Sequence, residues 1–346
     1  MIINHLSHIT VLPTATKKDV NFYDYDGTLI VGYTIAEAQA LSALPTAPTH
    51  DLLTFQEWNY TLAQVNATTS ALDVGATYIT SDGKSYFYIT LTAVSGLSPT
   101  FYFNKSDTST LTIDYGDGNT ATSAASGNIN FAHTYVAVGN YVVKTWISNG
   151  TGAYGFGNGS DLTVVINGAT AVYRQTLTKV SIGINVTAIT DYAFGSCKSI
   201  SLVSIPSSIT SIGQSAFTGC SSLLSATIPI GITVLGANAF NSCVNLAFIS
   251  IPIGITTLGT SAFISDSLPN RIVIPDSVTS LGNGVFQNCY GCKIYTFKAT
   301  TPPALTSATT LSGILSTCKI RVPAASLSAY QAATYWSTYA NYMEGY

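Results

Sequence analysis

The residues best placed to do chemistry are two carboxylates, Asp24 and Asp26. They follow the apolar stretch Val20–Tyr23 and lead into Gly27 and Thr28. Two carboxylates at the end of a strand can serve as nucleophile and as acid or base. In an α/β enzyme such groups stand at the carboxyl ends of a doubly wound sheet. Only about 40 residues follow before the sequence turns all-β, and no later lysine or Asp-Asp pair stands in a βαβ setting. The simpler expectation is a hairpin turned at Asp26-Gly27, followed by a helix near Ile35–Ala43.

Other candidate groups are also weighed against structural roles. Asp114, Asp117 and Asn119 cluster oxygens that a hard cation such as Ca²⁺ accepts, yet a Gly116-Asp117-Gly118 turn explains them without an ion. His133 is expected as a hydrogen-bonded core residue rather than a base or ligand, and His5, His8 and His50 have no legible partner. Cys197, Cys220, Cys243 and Cys289 are expected as buried thiols acting as small hydrophobes, with disulfides between coils as the alternative. Cys289-x-x-Cys292 has zinc-knuckle spacing but lacks a second pair, and Cys318 has no assignment. No Gly-x-Ser-x-Gly or phosphate loop occurs. The expectation is therefore a non-enzyme with no catalytic residue, metal or cofactor.

The composition narrows the partners. Among 346 residues, 47% are hydrophobic and only 8% are charged, where about a quarter is usual. The surface must then be built from Ser, Thr, Asn, Gly and Tyr. Net charge is −3, and the 13 Lys and Arg residues form no cluster, which argues against nucleic acid. No apolar run reaches the roughly 18 residues of a membrane span, so no membrane insertion is expected. Met1–His8 lacks the basic and apolar regions of a secretory signal peptide.

The elements that must position these groups announce themselves by repetition. Phe194, Phe217, Phe240, Phe263 and Phe286 are each separated by 23 residues, as are Pro206, Pro229, Pro252 and Pro275. Gly213, Gly236, Gly259 and Gly282 keep the same period. So do the Ile205, Ile209 and Ile212 columns. Each unit holds a short strand, such as Leu202–Ile205, in which Val203 and Ile205 point inward and proline closes the ladder. One unit cannot bury its apolar stripe alone, and stacking joins the stripes into a continuous core. Ser204, Thr227, Ser250 and Val273 occupy equivalent outward positions on the strand face and are the candidate binding residues.

Four resemblances follow from these residues. Units such as Ala216–Leu223 and Ile228–Gly236 resemble BspA-like leucine-rich repeats over about 177–297. This implies a solenoid with a parallel sheet on one face and a role in adhesion or ligand binding. The fourth unit departs from the pattern, with Asp266 in place of the repeat cysteine and Leu268-Pro269-Asn270 before the strand, so a bulge is expected there. Asp114–Gly118, Phe131–Tyr135 and Gly139–Tyr141 resemble a PKD-type domain, which implies an Ig-like β-sandwich acting as spacer or contact module. Its expected strands are Ser85–Thr92, Ser109–Tyr115, Asn140–Ile147 and Asp161–Ile166. Phe22–Thr28, Tyr33–Leu41 and Leu53–Asn59 resemble an N-terminal module found ahead of such domains in phages of gut bacteria. The Asp24/Asp26 run also looks like the nucleophile motif of haloacid-dehalogenase-type phosphatases, which implies attack on phosphorus by Asp24, acid–base work by Asp26 and a Mg²⁺ ion.

The expected organisation is mainly β. A small α+β docking-type module spans 1–65 and a PKD-like sandwich 66–168. Leucine-rich repeats follow over 169–297, with a C-terminal cap over 298–346. The expected function is non-enzymatic adhesion or binding, as a phage virion component or as a bacterial cell-surface adhesin. The expected partners are other virion or cell-surface proteins, reached through the N-terminal module, and a host surface protein or glycan.

Overall fold

The computed structural model describes residues 15–92, 97–149, 152–157, 165–167, 171–265, 268 and 270–346. It is mainly β, with about seven solenoid turns and 9% helix.

The N-terminal layer begins with β1 (Val20–Tyr23) and β2 (Leu29–Tyr33), an antiparallel pair. Their turn closes through Asp24 N–H to Thr28 O and Gly27 N–H to Asp24 O, with Gly27 at φ 85°. Helix α1 (Ile35–Gln39) starts in a capping box between Thr34 and Glu37, and α2 (Leu62–Asn66) in one between Thr61 and Gln64. These boxes satisfy amides that a short helix leaves unpaired. The first helix stops at Gln39, short of the expected Ala43.

Between the helices lies β3 (Leu53–Trp58), and after them comes β4 (Leu72–Thr80), giving the sheet order β2-β1-β4-β3. The sheet thus reaches past residue 65, because β4 is buried on both faces. Leu72, Val74, Ala76 and Tyr78 pack with Phe22, Trp58 and Val65 in a core of their own. Asp73 and Gly75, on the alternate face, meet the solenoid.

The sandwich contains β5 (Ser85–Leu91), β6 (Thr100–Lys105), β7 (Thr110–Asp114), β8 (Thr120–Ser123), β9 (Gly127–Ala132) and β10 (Gly139–Asn149). It is completed by β11 (Tyr154–Phe156) and β12 (Ile166–Asn167). Strands β5, β10, β7 and β8 form one sheet, and β12, β6, β11 and β9 the other. Phe87 and Phe103 meet between them, with ring centroids 6.2 Å apart. Three of the expected strands correspond to β5, β7 and β10. Residues 161–164 of the fourth, like Met1–His8, Asp266 and Pro269, lie outside the described residues.

Both sheets continue into the solenoid. On the strand face, β13 (Leu177–Ser181) pairs antiparallel with β5 and parallel with β15 (Leu202–Ser204). On the second face, β14 (Val186–Ile189) pairs with β11 and with β16 (Ser211–Ile212). The later coils supply β17 (Ser225–Thr227), β18 (Val234–Leu235), β19 (Phe248–Ser250), β20 (Thr257–Leu258), β21 (Arg271–Ile274) and β22 (Ser280–Leu281). They end with β23 (Ile294–Phe297), β24 (Ala304–Leu305) and β25 (Lys319–Val322).

Inside, Phe194, Phe217, Phe240, Phe263 and Phe286 stack with centroids 5.1–5.7 Å apart, and Phe156 of the sandwich meets Phe194 at 5.7 Å. The glycine column exists because coils touch there: a Cβ at Gly236 would lie 2.5 Å from Gly213 backbone. One hydrophobic core therefore runs from Phe87 to Tyr339. The sandwich covers the solenoid's first coil, where an open end would expose core.

At the other end, α3 (Leu327–Ala332), a 3₁₀ segment Trp336–Tyr342 and β26 (Met343–Gly345) cover the last coil. Tyr330 and Trp336 are buried and donate to Ala299 O and Pro303 O.

Candidate functional site

The four expected strand-face residues are not open to solvent. Ser204, Thr227, Ser250 and Val273 are all buried, at 0–7% exposure. The side chains of the first three do point out of the solenoid, but the chain's own N-terminal layer lies across them. Ser204 Oγ donates to Tyr78 O, Ser225 Oγ to Tyr25 O, and Ser250 Oγ to Asp73 O. Asn59 Nδ2 donates to Ser250 Oγ at 2.7 Å, and Tyr60 OH to Ile251 O at 2.7 Å. Arg271 grips Asp73 through Nη2, 2.5 Å from Oδ1, and Nε, 3.2 Å from Oδ2. Small hydroxylated residues occupy this face because a second sheet must approach closely. The expected binding face is thus an internal joint.

Where this joint reaches the last coils, three recesses adjoin. The first, about 310 Å³, is lined by Asp19, Ile35, Arg271, Ile294, Thr296 and Arg321. It shares Thr69, Ser70 and Tyr346 with the second, about 200 Å³, which adds Tyr60, Ile253 and Lys298. Asp276 lines the second and also the third, about 520 Å³, which extends along Thr300–Ala304.

The charges in this cleft are largely compensated. Arg271 is paired with Asp73, and Arg321 Nε with Glu344 Oε1 at 2.8 Å. Lys298 Nζ donates to Thr68 Oγ1 at 2.9 Å. Burial pushes the Lys298 ammonium down to about 8, with Asp276 opposing and Arg271 reinforcing the shift.

These residues were not singled out from the sequence, yet a signal existed. Lys298 stands where the repeat column has Pro206, Pro229, Pro252 and Pro275. Arg271 stands in a column otherwise holding Leu202, Ser225, Phe248 and Ile294. Departures from a repeat mark places with a different neighbour, and here the neighbour is the N-terminal layer.

The remaining candidates serve as local supports. Asp24 is 3% exposed; Oδ1 accepts from Tyr25 N–H and Oδ2 is hydrogen-bonded to His50 Nε2 at 2.7 Å. Asp26 Oδ1 accepts from Thr28 N–H. The pair therefore turns a hairpin in a four-stranded mixed sheet.

In the sandwich, Asp117 Oδ1 accepts from Asn119 N–H while Oδ2 is hydrogen-bonded to His133 Nε2 at 2.7 Å. Desolvation opposes ionisation of Asp117, but the bonds from His133 and Asn119 outweigh it and lower its pKa. His133 stacks on Tyr115, 4.0 Å between centroids, and Tyr135 OH donates to Tyr115 O. Asp114 Oδ1 accepts from Gly116 N–H. These carboxylates are engaged by the turn itself.

All six cysteines are buried thiols rather than disulfide partners. Cys220 and Cys243 donate to the carbonyls of Phe194 and Phe217. Within the Cys289-x-x-Cys292 pair, the two thiols donate to Phe263 O and Ile294 O.

Comparison with known proteins places this geometry. Residues 167–293 match the BspA type leucine rich repeat region in six copies, so the solenoid is a leucine-rich-repeat region of that type. Similar solved structures include a leucine rich cell surface protein from Faecalibacterium prausnitzii, with 21% identity over 44% of this chain and 50% of that one, TM-score 0.34. A leucine rich repeat protein of T. pallidum is 29% identical over 40% of this chain and 66% of that one, TM-score 0.33. One from Bacteroides ovatus is 20% identical over 43% and 63%, TM-score 0.20. The match thus spans about half the length of the first of these. No curated protein matches the sequence.

Proposed function

We propose that the chain is a non-enzymatic binding protein displayed at a surface, in which the solenoid is a rigid rod and the seam cleft is the contact site. The observation that carries this reading is the single core from Phe87 to Tyr339, with the N-terminal layer locked across the strand face. Such a body holds a surface in fixed shape, which lowers the cost of ordering on binding. The Asp117–His133 turn fits a PKD-type sandwich that spaces and caps the rod. Among the described residues, no helix is long and apolar enough to cross a membrane.

The finer reading is a virion-surface component of a phage, supported by module order alone; a bacterial cell-surface adhesin is the alternative. Mass spectrometry of purified particles, with copy number relative to the major capsid protein, tests it. Many copies per particle support the virion reading. Absence from particles together with detection on intact cells supports the adhesin. Detection in neither, with no binding of the purified chain to cells, overturns the binding reading.

A further inference from the structure

We infer that the seam cleft binds a neutral polysaccharide chain, laid through its three recesses. This rests on the binding-protein reading and names the ligand class of the same site. The cleft is a single feature, because Thr69, Ser70 and Tyr346 wall both the first and second recesses and Asp276 walls both the second and third. Three recesses joined in succession suit an extended polymer better than one compact molecule.

Its chemistry selects among polymers. Arg271, Arg321 and Lys298 face Asp73, Glu344 and Asp276 as partners or near neighbours, so the wall carries little net charge. A polyanion would gain little there, since affinity for phosphate- or sulfate-rich chains needs uncompensated cations. A protein partner would seek buried aromatic anchors in desolvated pockets, whereas the exposed Thr69, Thr279, Thr300 and Thr301 present hydroxyls.

A sugar needs donors and acceptors set around an apolar ledge. Ile253 and Pro302, both half-buried, supply the ledges. Tyr346 is 37% exposed where two recesses join, and its hydroxyl donates to Phe297 O, so one ring face can take a pyranose. Arg321 uses its Nε on Glu344, leaving both Nη groups without a protein partner among the described residues. These donors are suited to sugar hydroxyls, and Asp19 on the rim is an acceptor.

The test is calorimetric titration of the full chain with neutral hexasaccharides of glucose, mannose, galactose and xylose, beside polygalacturonate and heparin. The expected result is saturable binding of at least one neutral hexasaccharide. Tyr346→Ala and Asp276→Ala should each weaken it by about tenfold or more. Ala304→Trp, at an exposed position in the third recess, should block it while the unfolding midpoint stays put. Asn245→Ala, outside the cleft, should change nothing. Unaltered binding in the three cleft variants overturns the site, and preference for polygalacturonate or heparin overturns the ligand class. If the chain binds cells but none of the neutral probes, the glycan inference fails and the binding reading stands. If it binds neither, both fail.

Discussion

Gly75 of β4 and Thr227 of β17 are in direct contact: a Cβ placed on Gly75 would lie 2.5 Å from Thr227 Oγ1 and 2.7 Å from its Cγ2. The N-terminal layer can settle on the solenoid only because one partner has no side chain. Gly75→Ala should strain the joint by about 1–3 kcal/mol, read as earlier proteolytic release of residues 15–80. Thr227 Oγ1 has no hydrogen-bond partner, so Thr227→Ala loses no bond and should restore most of the docking in the double variant. An undiminished defect in the double variant would refute contact as the cause.

The Arg271–Asp73 pair is the joint's charged clasp. Their side chains are 12% and 8% exposed, and Asn21 Nδ2 also donates to Asp73. Removing one member leaves the other buried without its partner, which costs about 3–5 kcal/mol. Arg271→Ala should therefore destabilise more than the double change Arg271→Ala with Asp73→Ala. Additive losses in urea unfolding of the two single variants and the double would contradict this.

Much of this fold was legible in the residues, and the failures have a common cause. The 23-residue columns told of a solenoid because each column is a local, repeated requirement: Phe194 must stack on Phe217, and Gly236 must touch Gly213. Ser204, Thr227 and Ser250 point out of the solenoid, yet they are covered. Their cover comes from residues 126–191 positions away, such as Tyr78 and Asn59. Periodicity gives no sign of a contact made once, at long range. The cleft was missed for the same reason, since it exists only when Ser70, Lys298 and Tyr346 meet. The breaks in the repeat at Arg271 and Lys298 were its visible trace.

The thiols give a direct check on the packing. Burial pushes Cys197 and Cys292 up to about 12 and Cys318 to about 11, so none is a thiolate near neutral pH. Thiolate is the reactive form. Ellman's reagent should therefore label no thiol in the native chain and all six, Cys197, Cys220, Cys243, Cys289, Cys292 and Cys318, after unfolding. Rapid labelling of Cys220 or Cys243 in the native state would mean that the coils open locally.

Lys298 predicts a pH dependence of the joint. Its folded-state pKa is about 8, against 10.5 for an ordinary lysine, because burial disfavours the ammonium. Below about pH 8 the residue is charged in both the folded and unfolded chains, and the fold bears the full desolvation cost. Between about 8 and 10.5 the unfolded chain holds the extra proton, so this residue's contribution to stability rises with pH across that window. In Lys298→Met the rise should vanish, although the bond to Thr68 is also lost. Buried tyrosines such as Tyr60, whose pKa is raised, act in the opposite sense only at higher pH, once unfolded tyrosine ionises. The informative quantity is therefore the difference in urea midpoint between wild type and variant. It should shift in favour of wild type as pH climbs through the lower part of the window. Parallel curves would show that Lys298 is not held desolvated beneath Thr68.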